Sequence, residues 1–368
     1  MTLKAAVVSL GSISSQWTIK AMKNYFRVVD DIEINDMDVI LGTGKPVILY
    51  KGHPLEEYDC VYIKGSFRHA TLARAMASAL KDKTYMPIDP TAFTVVHDKL
   101  LTQLKLQQSG LPMPKTYLAA NPEAAKKILE HEISYPVIMK FPQGTHGKGV
   151  MFAESYPAAS SILDALTALN QPFLIQEYIE TEGSDIRVFV IGDKVAASMK
   201  RTAKEGEKRA NIHSGGKGEP AMIDAYTKKI ALQAAKTIGA EICGVDVLES
   251  IKGPKIIEIN ISPGLQGITQ YTGIDVADEI AKFLFKKAQE FSEKKKKNLT
   301  ADIIKDLTIG TGIGKEIITN LDFRGGRILL PEMVTKETGF KEEEEFIIKV
   351  EKGKAVVERL SKGKDEVK

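Results

Sequence analysis

Three oxygen-bearing side chains stand within two apolar stretches in the second half of the chain. Asp246 lies in Gly-Val-Asp-Val-Leu, and Glu258 and Asn260 lie two residues apart in Ile-Ile-Glu-Ile-Asn-Ile. If the two stretches pair as a hairpin centred near Lys252, Asp246 faces Glu258, and Asn260 shares their face. Hard oxygen donors of this kind suit Mg²⁺ when the phosphates of a nucleotide complete its shell. A solvated strand face is the alternative, but an unpaired carboxylate among apolar neighbours is costly.

A glycine-rich segment follows an apolar stretch that ends in Lys140. It contains Gly144, Gly147 and Gly149, with Lys148 between the last two. Backbone N–H groups at glycines can approach a phosphate closely, and the two lysines add positive charge, so the segment could cradle phosphates. A plain turn is the other interpretation. The segment lacks the Gly-Lys-Ser/Thr ending of nucleoside-triphosphate loops and the dinucleotide-binding pattern, which disfavours both families.

Basic residues cluster on and just after another predicted hairpin. They are Arg187, Lys200, Arg201 and Arg209. Arginine can bind phosphate or carboxylate groups through two parallel hydrogen bonds, so this cluster could face an anionic substrate; a plain basic surface is the alternative. His213 and Ser214 stand side by side in the following loop region, but no acidic residue is placed to orient them. We therefore expect no nucleophilic serine there.

Alternating strand and helix patterns must position these residues. An α/β region up to about residue 93 is predicted from strands at 4–10, 28–34 and 61–63 and a helix at 16–26. Later helices are predicted at 98–109, from 122, and at 156–169, 225–238 and 276–291. Later strands are predicted at 116–118, 136–141, 173–179, 186–191, 195–199, 242–248 and 255–261. The lysine run after 291 predicts a solvated linker, and hairpin patterns predict a small β-rich region beyond it.

Composition narrows the class of protein. The 368 residues carry a net charge of +3, which argues against nucleic-acid binding by overall charge. Hydrophobic residues at 43% and charged residues at 27% are ordinary globular values, which makes disorder and fibrous folds poor matches. No apolar run approaches the roughly 18–20 residues of a membrane span, and no targeting segment is recognisable, so we expect a soluble, cytoplasmic protein. Cys60 and Cys243 occur singly in apolar stretches and are expected to be buried thiols.

Taken in order, the motifs resemble the ATP-grasp superfamily, and more closely its ribosomal protein S6 modification (RimK-like) branch of glutamate ligases. The resemblance runs from about residue 1 to 290 and rests on segments 98–100, 137–140, 144–150, 176–179, 183–187, 190–193, 199–201, 206–213, 244–246 and 258–265. It implies an α/β and α+β architecture in which ATP lies between two subdomains. The implied domains are an N-terminal α/β domain at 1–95, an ATP-grasp domain at 96–290, a linker at 291–300 and a C-terminal domain at 301–368.

The resemblance also implies roles for individual residues. ATP would be bound by Lys99, Lys140, Gly144, Gly147, Lys148, Gly149, Gln176, Glu177, Tyr178, Ile179, Asp185, Arg209, Ala210 and Asn211. Gln176 to Ile179 would form the adenine hinge, and Asp185 would meet the nucleoside. One or two Mg²⁺ or Mn²⁺ ions, with two favoured, would be held by Asp246, Glu258 and Asn260. Arg201 and Arg209 would stabilise the acylphosphate and the tetrahedral intermediate. Arg187 would either act with them at the reacting groups or support the residues that contact those groups.

The implied reaction is ATP-dependent amide or peptide bond formation through an acylphosphate, adding glutamate or a similar amino acid to a peptide or protein C-terminus. A small cofactor or an amino-group carrier protein is the alternative acceptor, and an ATP-sensing DNA-binding regulator is the alternative of another class. The intact set of Asp246, Glu258, Asn260 and Arg209 disfavours the regulator. Ser214 stands where these ligases usually have Arg, and Gln266 where they have Glu, which leaves the substrate open.

The segment at about 321–360 resembles a different family, the AbrB-like swapped-hairpin domains, which dimerise by interleaving hairpins and often bind DNA. Here the segment holds eight basic and nine acidic residues, a net charge of −1. A near-neutral module with four successive glutamates matches phosphate poorly. We therefore expect it to serve dimerisation or partner docking rather than DNA binding, within a homo-oligomeric protein, a dimer or tetramer, that makes no membrane contact.

Overall fold

An unbroken apolar run, Ala5 to Val8, is fully buried and forms the central strand of a parallel sheet in this computed structural model. The structure describes residues 2–42, 44–144, 149–203, 216–310 and 322–360, without the side chains of 298–310. The chain divides into two compact units, Met1–Lys297 and Asn298–Lys368.

The N-terminal region of the first unit is built from short strands and helices. Its strands are β1 (Lys4–Ser9), β2 (Val28–Glu33), β3 (Met37–Ile40), β4 (Val47–Tyr50), β5 (His53–Pro54) and β6 (Cys60–Ile63). Its helices are α1 (Ile13–Met22), α2 (Ala70–Leu80) and α3 (Ala92–Val95), with 3₁₀ turns at Ile34–Asp36 and Phe67–His69. The order β2-β1-β6 makes a parallel sheet, and β3-β4-β5 makes an antiparallel sheet that the sequence pattern did not predict.

Helix α1 begins and ends earlier than the predicted 16–26. The Ser12 hydroxyl accepts a hydrogen bond from the N–H of Ser15 and caps the first turn, so the helix starts at Ile13. It ends at Met22, and the chain then turns directly into β2.

A four-stranded antiparallel sheet follows. It contains β7 (Thr116–Tyr117), β8 (Val137–Lys140), β9 (Val150–Ala153) and β10 (Leu174–Glu177) in the order β7-β10-β8-β9. Helix α4 (Lys99–Gln108) precedes this sheet, and the helices that pack on it are α5 (Pro122–Lys127), continued by a π turn at Ile128–Glu132, and α6 (Tyr156–Ala168). Two predicted helix starts are confirmed, because the Asp98 and Asn121 side chains accept N–H groups of the first turns of α4 and α5.

A five-stranded antiparallel sheet positions most of the polar residues discussed above. Its strands are β11 (Ser184–Ile191), β12 (Lys194–Thr202), β13 (Lys217–Pro220), β14 (Ile242–Ser250) and β15 (Gly253–Asn260), in the order β13-β12-β11-β14-β15. Helices α7 (Ala225–Ile238) and α8 (Gln266–Thr272) accompany it. Both predicted hairpins, β11-β12 and β14-β15, are confirmed, and so is the end of α7 at Gly239, which adopts a left-handed conformation.

The predicted linker at 291–300 is helical. Helix α9 (Val276–Gly310) continues through the lysine run instead of ending near Phe291. Lysine and glutamate are good helix formers, and neither Pro nor Gly interrupts the run. The charged side chains keep this part of the helix in water, but they do not end it. Residues 293–297 are indeed exposed.

Two hydrophobic cores lie among the described residues of the first unit. One hydrophobic core joins the N-terminal region to the five-stranded sheet and the start of α9, and the four-stranded sheet has a core of its own. Polar contacts join the same parts. The Tyr85 hydroxyl donates to Glu241 at 2.6 Å, and the Tyr25 hydroxyl donates to Asp278 at 2.8 Å. The four-stranded sheet is therefore the more independent body of the first unit.

The second unit contains hairpins, as predicted. Within the described residues 322–360 they are β16 (Asp322–Arg324) with β17 (Arg327–Leu329), and β18 (Phe346–Glu351) with β19 (Lys354–Arg359), separated by α10 (Glu332–Thr338). None of the residues 322–360 is buried. Within the described part of the chain, no helix has the length and apolar character needed to cross a membrane.

Candidate active site

Asp246 and Glu258 stand directly opposite each other on β14 and β15, as the hairpin prediction requires. Asn260 pairs with Gly244 on the same two strands. A β-bulge follows Asp246, and Asp246 is 4% exposed. The Oδ1 atom of Asn260 accepts a hydrogen bond from the N–H of Ser262 at 2.9 Å, which fixes the side chain at the end of β15.

Two arginines hold the Asp246 carboxylate. Arg187, its direct neighbour on β11, donates from Nε and Nη2 to Oδ1 and Oδ2, both at 2.7 Å. Arg201 on β12 donates from Nη2 to Oδ2 at 2.8 Å. Arg201 also forms a bidentate pair with Asp185, at 2.6 and 2.8 Å. These four residues form one continuous ion-pair network across β12, β11 and β14.

The charges of this network shift the pKa values of its members. Burial by itself would raise the pKa of Asp246, but Arg187 and Arg201 outweigh it and lower the pKa to about 2. Burial raises the pKa of Asp185 to about 6, against the effect of Arg201. Burial also raises the pKa of Glu258, and the charge of Asp246 adds to the effect. Glu258 is thus a half-buried carboxylate that a cation would stabilise.

Two lysines act electrostatically on Glu258. Lys140, 6% exposed at the end of β8, donates from Nζ to Gln176 Oε1 at 2.9 Å. Burial and the charge of Lys99 lower the pKa of Lys140 to about 8, while Glu258 opposes that shift. Lys99 donates from Nζ to the carbonyl of Gly144 at 3.0 Å, so it lies against the start of the glycine-rich segment. The charges of both lysines therefore reach Glu258.

The predicted hinge residues lie at the end of β10. The amide of Gln176 also donates to the Thr116 hydroxyl at 2.7 Å, which holds its oxygen toward Lys140. Glu177 accepts from the N–H of Lys115 at 2.8 Å and from Lys255 on β15, so it ties the four-stranded sheet to the five-stranded one. Tyr178 packs edge-on against Phe152, with the ring centroids 5.2 Å apart, and Ile179 is half-buried beside it.

The glycine-rich segment is described only at its two ends. Gly149 has a φ of +76°, and a Cβ there would lie 2.2 Å from the Phe141 ring, so the position excludes a side chain. Gly147 and Lys148 lie outside the described residues, as do Arg209, Ala210, Asn211, His213 and Ser214. Their predicted roles stay predictions.

The donor set fits a magnesium ion that a nucleotide helps to hold. Within the described ranges, no three His, Cys, Asp or Glu side chains are grouped to bind a metal alone. The candidate ligands are two carboxylates and one amide, Asp246, Glu258 and Asn260. Mg²⁺ keeps several ligands from water and phosphate, so an incomplete oxygen set of this kind suits it. The raised pKa of half-buried Glu258 is the feature that such a cation would relieve.

Comparison with known proteins agrees with this geometry. Residues 96–284 match the model of the RimK-like ATP-grasp domain. The chain is 35% identical over 292 residues to a protein of Cellvibrio japonicus (strain Ueda107) named probable alpha-L-glutamate ligase, covering 78% of this chain and 97% of the relative. This chain belongs to the RimK-like ATP-grasp family. As a member of that family, it is an ATP-dependent ligase.

Solved structures share the fold of this RimK-like protein. The ATP-grasp ligase PsnB, complexed with a phosphomimetic variant of its minimal precursor, Mg and ADP, gives a TM-score of 0.62 at 19% identity, covering 77% of this chain and 98% of that one. A RimK domain protein from Sphaerobacter thermophilus DSM 20745 gives 0.60 at 21% identity, covering 76% and 99%. The predicted ATP-grasp fold class is confirmed.

The sequence predicts that Arg201 acts at the reacting groups and that Arg187 lies beside or behind it; the structure pairs both arginines with Asp246, and their catalytic roles stay predictions. Sequence reasoning passed over Lys64, a lysine that directly follows the buried strand β6 and is only 6% exposed. A lysine at the end of an apolar strand was the available signal.

Proposed function

We propose that this RimK-like ligase joins L-glutamate, or a similar amino acid, to the C-terminal carboxylate of a peptide or protein, with ATP and Mg²⁺. The observation that carries the proposal is that Lys140 and Lys99 act electrostatically on Glu258, which stands opposite Asp246 on the β14-β15 hairpin. Cations beside candidate magnesium ligands suit the phosphates of a bound nucleotide. The names of the glutamate-ligase relatives and the peptide precursor bound by PsnB support the substrate class.

The reaction has two steps. An oxygen of the acceptor carboxylate attacks the γ-phosphorus of ATP, the bond to the β–γ bridging oxygen breaks, and ADP leaves. The amino group of the incoming amino acid then attacks the acyl carbon, phosphate leaves with the electron pair of the C–O bond, and the nitrogen loses a proton. Asp246, Glu258 and Asn260 would hold Mg²⁺, which would supply positive charge to the phosphate oxygens, and the resemblance favours two ions.

In this mechanism the residues of the chain mainly bind and orient the nucleotide and the substrates. Lys99 and Lys140 lie where they can neutralise phosphate charge, and Lys140 is kept in place by Gln176. Arg187 and Arg201 are occupied by carboxylates, so we assign both to holding Asp246 in position. Arg209 remains our candidate for contact with the acylphosphate.

Intact-mass spectrometry tests this function. Candidate acceptors, with C-terminal peptides, small cofactors and carrier proteins among them, are incubated with the full chain, MgATP and a mixture of the twenty amino acids. We expect a mass increment of one or more glutamyl residues on a peptide and none with E258Q, which keeps the shape of the side chain and removes its charge. An increment on a small cofactor or a carrier protein would favour that acceptor instead. ADP formation at the wild-type rate by E258Q would contradict the metal assignment.

We further propose that the C-terminal unit associates with a second copy of the chain. None of its residues 322–360 is buried, and its strands expose large apolar side chains, among them Phe323, Ile348 and Val350 at 67, 62 and 75%. Two-stranded hairpins without a core are marginal in water by themselves. Residues 321–360 have a net charge of −1, so electrostatic repulsion between two copies is weak. The same charge favours self-association over binding to phosphate.

A further inference from the structure

Lys64 is a buried cation without a hydrogen-bond partner among the described residues. It directly follows β6, is 6% exposed, and its Nζ makes no hydrogen bond there. The centroid of the Tyr62 ring lies 5.3 Å from Nζ. Burial lowers the pKa of Lys64 to about 8, and within the described residues no carboxylate shifts it back. A buried charge without a hydrogen-bond partner costs free energy. The position of Lys64 therefore suggests a partner that is not part of the ligand-free chain.

The position of Lys64 in the sheet is one where ligands bind. Strand β1 lies between β2 and β6, so the connections from it run to opposite sides of the sheet, and its carboxyl end is a topological switch point. Ser9 ends β1, and the N–H of Lys64 donates to the carbonyl of Val8 at 2.8 Å, so both residues lie at that carboxyl end. In open α/β sheets, ligands bind in the crevice outside these strand ends.

Helix α1, which follows β1, contacts the segment that comes after the candidate metal ligand Asn260. Ser14, in the first turn of α1, accepts a hydrogen bond from the N–H of Leu265 at 2.8 Å in a buried contact. The segment Ser262 to Leu265 follows Asn260 directly, and the Ser262 hydroxyl is a second buried polar group with no partner in the described structure. Helix α1 has no acidic residue in its first turn, so its N-terminus adds positive potential.

Tyr62 on β6 lies near the five-stranded sheet. Burial raises the pKa of Tyr62, and the Cys243 thiol on β14 adds to that effect, so Tyr62 lies near β14. Gly244, the next residue on β14, points to the opposite face of that sheet, toward Pro263 and the side chain of Arg187. The Nζ of Lys64, 5.3 Å from the centroid of the Tyr62 ring, is therefore near the sheet that carries the Asp246 network.

We propose that Lys64 binds a carboxylate of the substrate that takes no part in the reaction, at the carboxyl end of the N-terminal parallel sheet. This inference rests on the proposed ligase function, whose amino acid and peptide substrates both carry such carboxylates. Lys99 and Lys140 provide cations on the nucleotide side, so Lys64, on a different sheet, is available for a different anion. A carboxylate beside Lys64 supplies the hydrogen-bond acceptor that the ligand-free chain lacks.

Calorimetric titration of the full chain with MgADP present tests the proposal. The probes are L-glutamate, L-glutamine and the dipeptide L-glutamyl-L-glutamate. The variant is K64M, which keeps the length and removes the charge, and K20M, on the exposed face of α1, is the matched control. We expect K64M to weaken binding of at least one acidic probe about tenfold or more, with the MgADP affinity unchanged, because a charged hydrogen bond is lost.

The probes separate the two sources of the carboxylate. Weakened binding of L-glutamate alone assigns the carboxylate to the incoming amino acid, and weakened binding of the dipeptide alone assigns it to the acceptor. Loss of the preference for glutamate over glutamine in K64M assigns it to the side chain of glutamate. Equal affinities of wild type and K64M for both acidic probes, or no binding of either by wild type, would overturn the proposal.

Thermal unfolding of the ligand-free chain separates a binding role from a structural one. We expect K64M to melt no lower than wild type, because the variant removes an unpaired buried charge. A lower melting temperature would show that Lys64 stabilises the fold through the Tyr62 ring, and would also overturn the proposal. These readouts need no turnover, so binding that depends on Lys64 in a chain that forms no amide would contradict the ligase function and not the carboxylate site.

Discussion

Arg187 holds both carboxylate oxygens of Asp246, each at 2.7 Å, across neighbouring strands of the five-stranded sheet. The arginine lies on β11 and the aspartate on β14, which is itself paired with the strand of Glu258 and Asn260. A predicted metal ligand is therefore held in place before any ligand binds. Pre-orientation of this kind lowers the cost of assembling a metal site around a nucleotide.

Replacing Arg187 by Met should destabilise the fold and weaken metal binding. It leaves Asp246 with Arg201 as its remaining ion-pair partner, and removing one member of a buried pair costs about 3 kcal/mol. Urea unfolding measures the loss, and R27M, at an exposed arginine of the same unit, should change stability little. The double variant R187M/D246N should lose less than the sum of the single variants. Strict additivity would contradict the described network.

Replacing Gly149 by Ala should disturb the glycine-rich segment through Phe141. The new Cβ would lie 2.2 Å from the ring at a φ of +76°. G52A is the matched control, because Gly52 has a φ of +77° and nothing within 4 Å of its Cβ position. Both variants should lose about 1 kcal/mol to backbone strain, and G149A should lose a further 1–3 kcal/mol to the clash and show a raised KM for ATP. Equal losses in the two variants would mean that the ring moves aside freely.

The stability difference between wild type and K64M should depend on pH. Burial lowers the pKa of Lys64 to about 8, below the 10.5 of an exposed lysine, so the folded chain binds fewer protons between these values. The penalty of the buried charge is complete below pH 8 and is relieved as the pH rises toward 10.5. K64M should therefore be more stable by roughly 3 kcal/mol below pH 8, and the two unfolding curves should converge by pH 10.5. A difference that is constant with pH would contradict a buried charged lysine.

Replacing Ile348 by Asp in the full chain should reduce self-association. Ile348 is 62% exposed on β18, and a second copy that covers it would have to bury the new carboxylate. Sedimentation velocity should show an oligomer for wild type and a smaller species for I348D. K352D, in the exposed turn between β18 and β19, serves as the control and should sediment as wild type. A monomeric wild type would contradict association through this unit.

Local patterns of the sequence determine several parts of this site. The β14-β15 hairpin itself follows from two alternating apolar stretches and the turn before Gly253, but the pairing of Asp246 with Glu258 also needs the β-bulge after Asp246, since the turn alone would align Asp246 with Ile257. The starts of α4 and α5 follow from capping by Asp98 and Asn121, which needs contacts only within one turn of helix. The order of the motifs along the chain was sufficient to indicate the ATP-grasp fold.

Tertiary structure alone decides which charges meet. Arg187 and Asp246 are 59 residues apart, and their contact depends on the pairing of β11 with β14, which no local pattern encodes. For the same reason the sequence could not show that the N-terminal region shares a core with the five-stranded sheet, or that Lys64 is buried without a hydrogen-bond partner among the described residues. Burial and long-range pairing arise from packing between distant segments, whereas strands, turns and caps depend on neighbours a few residues away.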